Sequence, residues 1–343
     1  MPTNKRLLPK ALRKTSARMA DPARHILADG QEVRTVTLEG HGLSAEILTL
    51  GATLRDLRLD GHAPPLVLGH EDLSDYAENP GFLGAIVGRY ANRIDKGRVE
   101  IDGTAYQLVM QDRGNALHGG PDGTFAQNWT ITELSETQVT LSVTLPDGHM
   151  GYPGALKITA TYRLMPDATL DLVISAQTDK TTLCNLAPHS YFNLDGTDDL
   201  RDHRLEVFAD QIVPVDAFGI PLGHLVPVTD SNFDFRQPRP AQSTDLDINY
   251  CFTPPDGLHR NARLTAPIGR SVTVYSNQPG LQVFNAAEMD TEVPGLMGRR
   301  NGPFCGIAFE PQIWPDAPNQ TGFPDATLRP GETYLNHSRF VFT

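Results

Sequence analysis

The sequence predicts an all-β protein, one large antiparallel sandwich or barrel. Three observations carry this. Apolar residues recur with a period of two along most of the chain after residue 30. The 30 glycines and 27 prolines are spread between those runs as turn signals. No stretch of ten or more residues there shows the 3.6-residue spacing of an amphipathic helix.

The clearest run is "ALKITATYRLMPDATLDLVISAQT". Leu156, Ile158, Ala160, Tyr162 and Leu164 fall on one face. After the Met-Pro-Asp-Ala turn, Leu170, Leu172, Ile174 and Ala176 do the same, which predicts a hairpin with one buried side. "TQVTLSVTLPDG", "HRLEVFADQIVPV", "SVTVYSNQPGLQVFNAA" and "HSRFVFT" continue the pattern. "HEDLSDYAEN" at 70–79 predicts a short helical turn. With no linker of biased composition and no fixed-period repeat, residues 31–343 are expected to form one domain. Residues 1–30 are expected to be a basic, disordered or loosely helical extension without the apolar core of a secretory signal.

The 343 residues are 39% hydrophobic, enough for a sizeable core. A formal net charge of −12 argues against nucleic acid and anionic membrane as partners, and favours a neutral or cationic small ligand. No segment approaches the roughly 20 apolar residues of a membrane helix. Cys184, Cys251 and Cys305 are odd in number and far apart. Neither a disulfide framework nor a zinc site is expected, and a reducing, cytoplasmic setting fits best.

Polar residues concentrate in five stretches. "GRYANRIDKG" holds Arg89, Asn92 and Arg93; "NALHGG" holds His118; "APHSYFNLDG" holds His189; "LDINYCF" holds Asp247; "FEPQIWPDAPNQ" holds Glu310 beside Trp314. No HxH or HExxH spacing supports a metal site, though distant ligands converge in β folds. "HGGPDGTF" leads into a strand-like run rather than a helix, unlike a phosphate loop. Ser190 lacks the GxSxG context of a nucleophile. What remains is an acid–base set. Histidine titrates near neutrality, a glutamate serves as base, and Arg and Asn hydrogen-bond to hydroxyls. A small neutral polyol suits it.

"GAIVGRYANRIDKG", "NALHGGPDGTF", "PDGHMGYPG", "LAPHSYFNLDG", "PGLQVFNAAEMD" and "FEPQIWPDAPNQTGFPDATLRPGETY" together resemble the aldose 1-epimerase (galactose mutarotase) family, in the family's order, over about residues 32–343. The resemblance implies a galactose mutarotase-like β-supersandwich with one open cleft and no cofactor or metal. It implies an isomerase that exchanges the α and β anomers of a free hexose, as monomer or homodimer. His189 then matches the general acid and Glu310 the general base, placed on either side of the C1–O5 bond. Asn92, Arg93, His118, Tyr191, Asp247 and Gln282 match sugar-binding positions. Arg89 is expected to make a structural ion pair. We further expect Asp247 and the nearby base to raise the pKa of His189, and Arg93 to keep Glu310 anionic. Two departures bear on substrate identity. Asp247-Ile248-Asn249 stands where the family has Asp-His-Asn, and "NAAEM" replaces its Thr-Gly-Asn context. Three rivals remain at this stage: a glycosidase using Asp247 and Glu310, a phosphosugar epimerase using Arg299 and Arg300, and a non-catalytic sugar binder.

Overall fold

Strand pairing follows the alternation. The computed structural model describes residues 25–77, 81–253 and 257–343. Leu156–Met165 pairs antiparallel with Thr169–Thr178, with Leu164 opposite Leu170 and Tyr162 opposite Leu172. The apolar residues named above are buried on one side of this hairpin.

Two large sheets dominate. One has nine strands, in the order Thr130–Leu134, Gln138–Leu145, Leu156–Met165, Thr169–Thr178, Tyr334–Phe342, Ser271–Ser276, His259–Thr265, Arg204–Val207 and Arg239–Pro240. The other has six: Tyr191–Phe192, Ile307–Gln312, Gly280–Phe284, Asp247–Cys251, Gln211–Val213 and Val226–Pro227. All the pairings are antiparallel. Side chains of both sheets share one apolar cluster, including Ile158, Leu172, Val274, Leu281, Val283 and Phe309. Phe192 of the six-stranded sheet stacks on Phe340 of the nine-stranded sheet at 5.2 Å between ring centres. A face-to-face sandwich core is built this way. A three-stranded sheet of residues 35–40, 43–48 and 54–59 adds Leu38, Ile47 and Leu57 to the same core.

Helix is confined to short 3₁₀ turns among the described residues, the longest being Leu73–Tyr76 in the stretch expected to turn. None is long and apolar enough to cross a membrane.

The N-terminal expectation needs a correction. Residues 1–24 lie outside the described residues, but His25–Ile26 pairs with Glu32–Val33. The cause is the Asp29-Gly30 turn: Gly30 has φ +86°, Asp29 Oδ1 accepts from the Gln31 amide, and Leu27 and Gln31 are bridged through the backbone. Val33 anchors the hairpin against Leu48, Leu50, Leu73 and Tyr76. Residues 25–30 are therefore ordered against the rest of the chain.

Candidate active site

The six-stranded sheet has an apolar face and a polar face, because successive residues point to opposite sides. Ile248, Tyr250, Leu281, Val283, Ile307 and Phe309 turn inward to the core. The alternate positions form rows across the other face. Asn249 lies opposite Gln282, and Gln282 opposite Glu310. Asp247 lies opposite Phe284, Phe284 opposite Ala308, and Ala308 opposite Tyr191. His189 precedes Tyr191 by two, and Glu310 follows Ala308 by two. Antiparallel register therefore brings His189 level with Glu310.

The result is direct contact, with His189 Nε2 at 3.5 Å from Glu310 Oε1. Both are buried. The backbone of His189 is fixed from a third segment, its amide donating to Ala85 O at 2.9 Å and its carbonyl accepting from Gly84 N at 3.1 Å. The acid and base expected on either side of a bond are thus neighbours at the floor of one cleft.

Two loops close the cleft's flank. Arg93–Ile94 pairs with Ala116–Leu117, which sets Asn92 beside His118. Asn92 N donates to His118 Nδ1 at 3.1 Å, and His118 N donates to Asn92 O at 3.1 Å. Because Nδ1 accepts, the proton of the neutral His118 ring sits on Nε2. The loop needs Gly119: it has φ +86°, and a Cβ there would lie 2.1 Å from Gly88 O. The His118 and His189 rings meet edge to face at 5.3 Å, and Phe82 packs on both.

Arg93 Nε donates to Asp112 Oδ2 at 2.7 Å, and its Nη1 lies 3.6 Å from Asp247 Oδ2. Gln282 Nε2 donates to Asp247 Oδ1 at 2.6 Å. Tyr191 donates its hydroxyl to Gly81 O at 2.9 Å. The cleft encloses about 370 Å³ and is lined by His189, Glu310, Asn92, Arg93, His118, Tyr191 and Asp247. Gln282 is the expected site residue that does not line it; it stands behind Asp247 and braces that carboxylate.

Sequence reasoning missed the apolar walls, Phe82 and Phe284, and the rim residues Glu288, Met289, Asp290 and Thr291. Phe284 was accessible, since it shares the face of Gln282 at a spacing of two. Phe82 is a loop residue with φ +54° and carries no such signal. Trp314 lies outside the cleft, its indole N–H held by Pro279 O at 2.8 Å.

Electrostatics overturns two expectations. Burial lowers the pKa of His189 to about 4, where a rise through Asp247 was expected. Burial likewise raises Glu310 well above its ordinary 4.5, with Asp247 adding to the rise and Arg93 only partly opposing it. Burial also lowers His118, helped by His189 and Arg93. The distance between His189 and Glu310 suits an ion pair, yet burial pushes both groups toward their neutral forms. His189 Nδ1 and Glu310 Oε2 are buried without a hydrogen-bond partner. The ligand atoms of His118, His189 and Glu310 lie within 4.8 Å of one another, a set that offers two imidazoles and a carboxylate to a divalent ion.

Arg89 is structural, as expected, but through carbonyls rather than a carboxylate. Its Nη1 donates to Pro153 O at 2.9 Å, Gly154 O at 2.8 Å and Thr182 Oγ1 at 3.1 Å. It also sits over the Tyr152 ring. Burial lowers its pKa to about 10. The backbone of 146–152 bonds largely within its own turns, whereas the carbonyls of Pro153 and Gly154 are gathered by this long planar donor. Arg89→Met leaves these acceptors buried without donors, and is expected to cost about 3 kcal/mol in urea unfolding. A loss below about 1 kcal/mol would mean water replaces the guanidinium.

The family described as aldose 1-epimerase matches residues 34–341. Rat galactose mutarotase is 38% identical over 327 residues, covering 92% of this chain and 95% of that protein. Aldose 1-epimerase of Escherichia coli is 34% identical over 337 residues, covering 92% and 96%. Among solved structures, an aldose epimerase homologue from C. elegans superposes with a TM-score of 0.86 at 30% identity, over 91% of this chain and 99% of that one. Galactose 1-epimerase from Lactobacillus acidophilus gives 0.82 at 29% identity, over 94% and 97%. The fold is that of the galactose mutarotase-like all-β sandwiches, and the polar cleft lies on one of its sheet faces. The chain belongs to the aldose 1-epimerase family, isomerases that interconvert the anomers of aldoses.

Proposed function

We propose that this protein exchanges the α and β anomers of a free hexose such as galactose or glucose, with His189 and Glu310 moving the protons. The observation that carries the reading is their 3.5 Å contact, buried in a cleft of monosaccharide size. The two hemiacetal oxygens share one carbon. An acid and a base in contact with each other therefore match them without a relay.

Ring opening needs the O1 proton removed and O5 protonated as C1–O5 breaks. Glu310 takes the first proton and His189 supplies the second. The aldehyde turns about C1–C2, and closure runs with the roles reversed. After opening, Glu310 holds a proton and His189 is neutral, the direction in which burial shifts both groups. The site's electrostatics therefore lean toward the open-chain intermediate. Arg93, Asp247, His118 and Asn92 hold the hydroxyls, Phe82, Tyr191 and Phe284 cover apolar ring faces, and Gln282 acts through Asp247.

Polarimetry on freshly dissolved α-galactose and α-glucose tests the reaction. The protein is expected to hasten both approaches to equilibrium; binding without acceleration would make it a sugar binder. Nothing in this chemistry needs a metal. Dialysis against EDTA is expected to leave the rate unchanged, whereas a loss restored by zinc would reassign His118, His189 and Glu310 as ligands.

A further inference from the structure

Arg93 is held by two loops that do not themselves line the cleft. One is the turn Asp112-Arg113-Gly114-Asn115, closed by Asn115 N donating to Asp112 O at 2.8 Å and Asp112 N donating to Asn115 O at 3.2 Å. Arg113 and Gly114 both have positive φ, +47° and +84°, as a tight hairpin turn requires. The turn fixes Asp112, whose Oδ2 accepts from Arg93 Nε at 2.7 Å. The other loop, 216–220, is shaped by Asp216, whose Oδ1 accepts from the amides of Phe218 and Ile220 at 2.8 and 3.0 Å. It brings Gly219, at φ +79°, against the guanidinium: a Cβ there would lie 3.0 Å from Arg93 Nη1 and 3.1 Å from its Cζ. Arg113 ties the two loops together, its Nη1 donating to Ala217 O at 3.2 Å. In the cleft, Arg93 Nη1 faces Asp247 Oδ2 at 3.6 Å, beyond hydrogen-bond reach.

We propose that Asp112 and Gly219 are positioning residues: they hold the Arg93 guanidinium off Asp247, so that both charged groups stay open to sugar hydroxyls. The proposal rests on the anomer-exchange reading above and adds to it two residues that touch no substrate. An arginine and an aspartate this close attract each other, and a full ion pair between them takes up the donors and acceptors that hydroxyls need. Asp112 competes for the same guanidinium at shorter range. Its side chain is 22% exposed against 47% for Asp247, so its attraction is the less screened. Gly219 supplies the space, since a side chain at that position displaces the guanidinium from where Asp112 holds it. Gln282 restrains Asp247 in the same way, its Nε2 donating to Oδ1 at 2.6 Å. The Arg93 side chain makes no other hydrogen bond among the described residues, which leaves its two Nη groups for the sugar.

The test is steady-state anomer exchange of galactose by variants made in two backgrounds, the parent and Arg93→Met. In the parent, Asp112→Ala lets Arg93 close on Asp247. It is expected to raise KM about tenfold with kcat within about threefold, because hydroxyls are held in the ground and transition states alike. Asp112→Asn keeps an oxygen that accepts from Nε, and is expected to recover most of that loss. Gly219→Ala is expected to raise KM in the same direction. In Arg93→Met, Asp112→Ala and Gly219→Ala are each expected to change kcat/KM by no more than about twofold, since both act through a guanidinium that is gone. A KM for Asp112→Ala within about twofold of the parent would overturn the proposal. So would equal losses in the two backgrounds, because these residues would then support the fold rather than Arg93. Should Asp112→Ala not fold, Gly219→Ala carries the same comparison. If the parent fails to accelerate galactose exchange, the anomer-exchange reading falls by itself, and the same variants are compared by their affinity for galactose.

Discussion

Glu310→Gln is expected to lower the catalysed rate of anomer exchange by about 10²- to 10⁴-fold, the usual worth of one positioned base. The amide keeps the shape and burial of the side chain but cannot take the O1 proton. A second effect of the same variant has the opposite sign. Burial raises Glu310 above its ordinary 4.5, so the folded protein holds this proton more tightly than the unfolded chain does. The stability contributed by the protonated form is full below 4.5 and is lost as pH rises through the folded value. Glutamine has no proton to lose. The Tm of Glu310→Gln should therefore gain on the parent's as pH rises from about 5 to 8. Activity within tenfold of the parent, or a Tm difference that shrinks over that range, would remove Glu310 from the role assigned to it.

His189→Ala is expected to lose a similar 10²- to 10⁴-fold, since the ring oxygen then departs without a proton donor. The pH profile distinguishes this from a packing defect. In the parent, kcat/KM should fall as pH drops toward about 4, where the imidazole keeps a proton while Glu310 still holds its own. No base is then left for O1. Without the imidazole, protonation of Glu310 alone sets the acid limb, which moves to higher pH. Stability moves as well: the neutral His189 makes the folded state bind fewer protons than the unfolded chain between 6.5 and about 4, so the parent loses stability as pH falls through that window. The alanine variant lacks this loss. A variant that keeps the parental acid limb would show that another group sets it.

Much of this was readable in the sequence, and the limits have physical causes. The hairpin 156–178 declares itself because a buried face on a strand repeats every two residues, and the structure pairs Leu164 with Leu170 as that period requires. Glu310, Gln282 and Asp247 sit at alternate strand positions, so their common face follows from the same rule. The motifs also identified which histidine and which glutamate meet. Phe82 escaped because a single loop aromatic has no period. Arg89 was expected to make a structural ion pair; its partners are carbonyls instead, and they depend on how the loops at 146–154 close. The pKa directions were missed for a different reason. Neighbouring charges can be listed from motifs, whereas desolvation depends on the whole packed surroundings, and at His189 it dominates. The charged rim at Glu288 and Asp290 belongs to a stretch whose departure from the family pattern was noticed, without any sign that it reaches the cleft.

The central claim is that His189 and Glu310 work as one proton-exchanging unit. The anomer-exchange rate of galactose with the His189→Ala/Glu310→Gln double variant tests it most directly. If the pair is a unit, each single change already disables it, and the double variant should lie within about tenfold of the slower single variant. Losses that multiply across the two positions would show two independent contributions, and contradict the exchange described here.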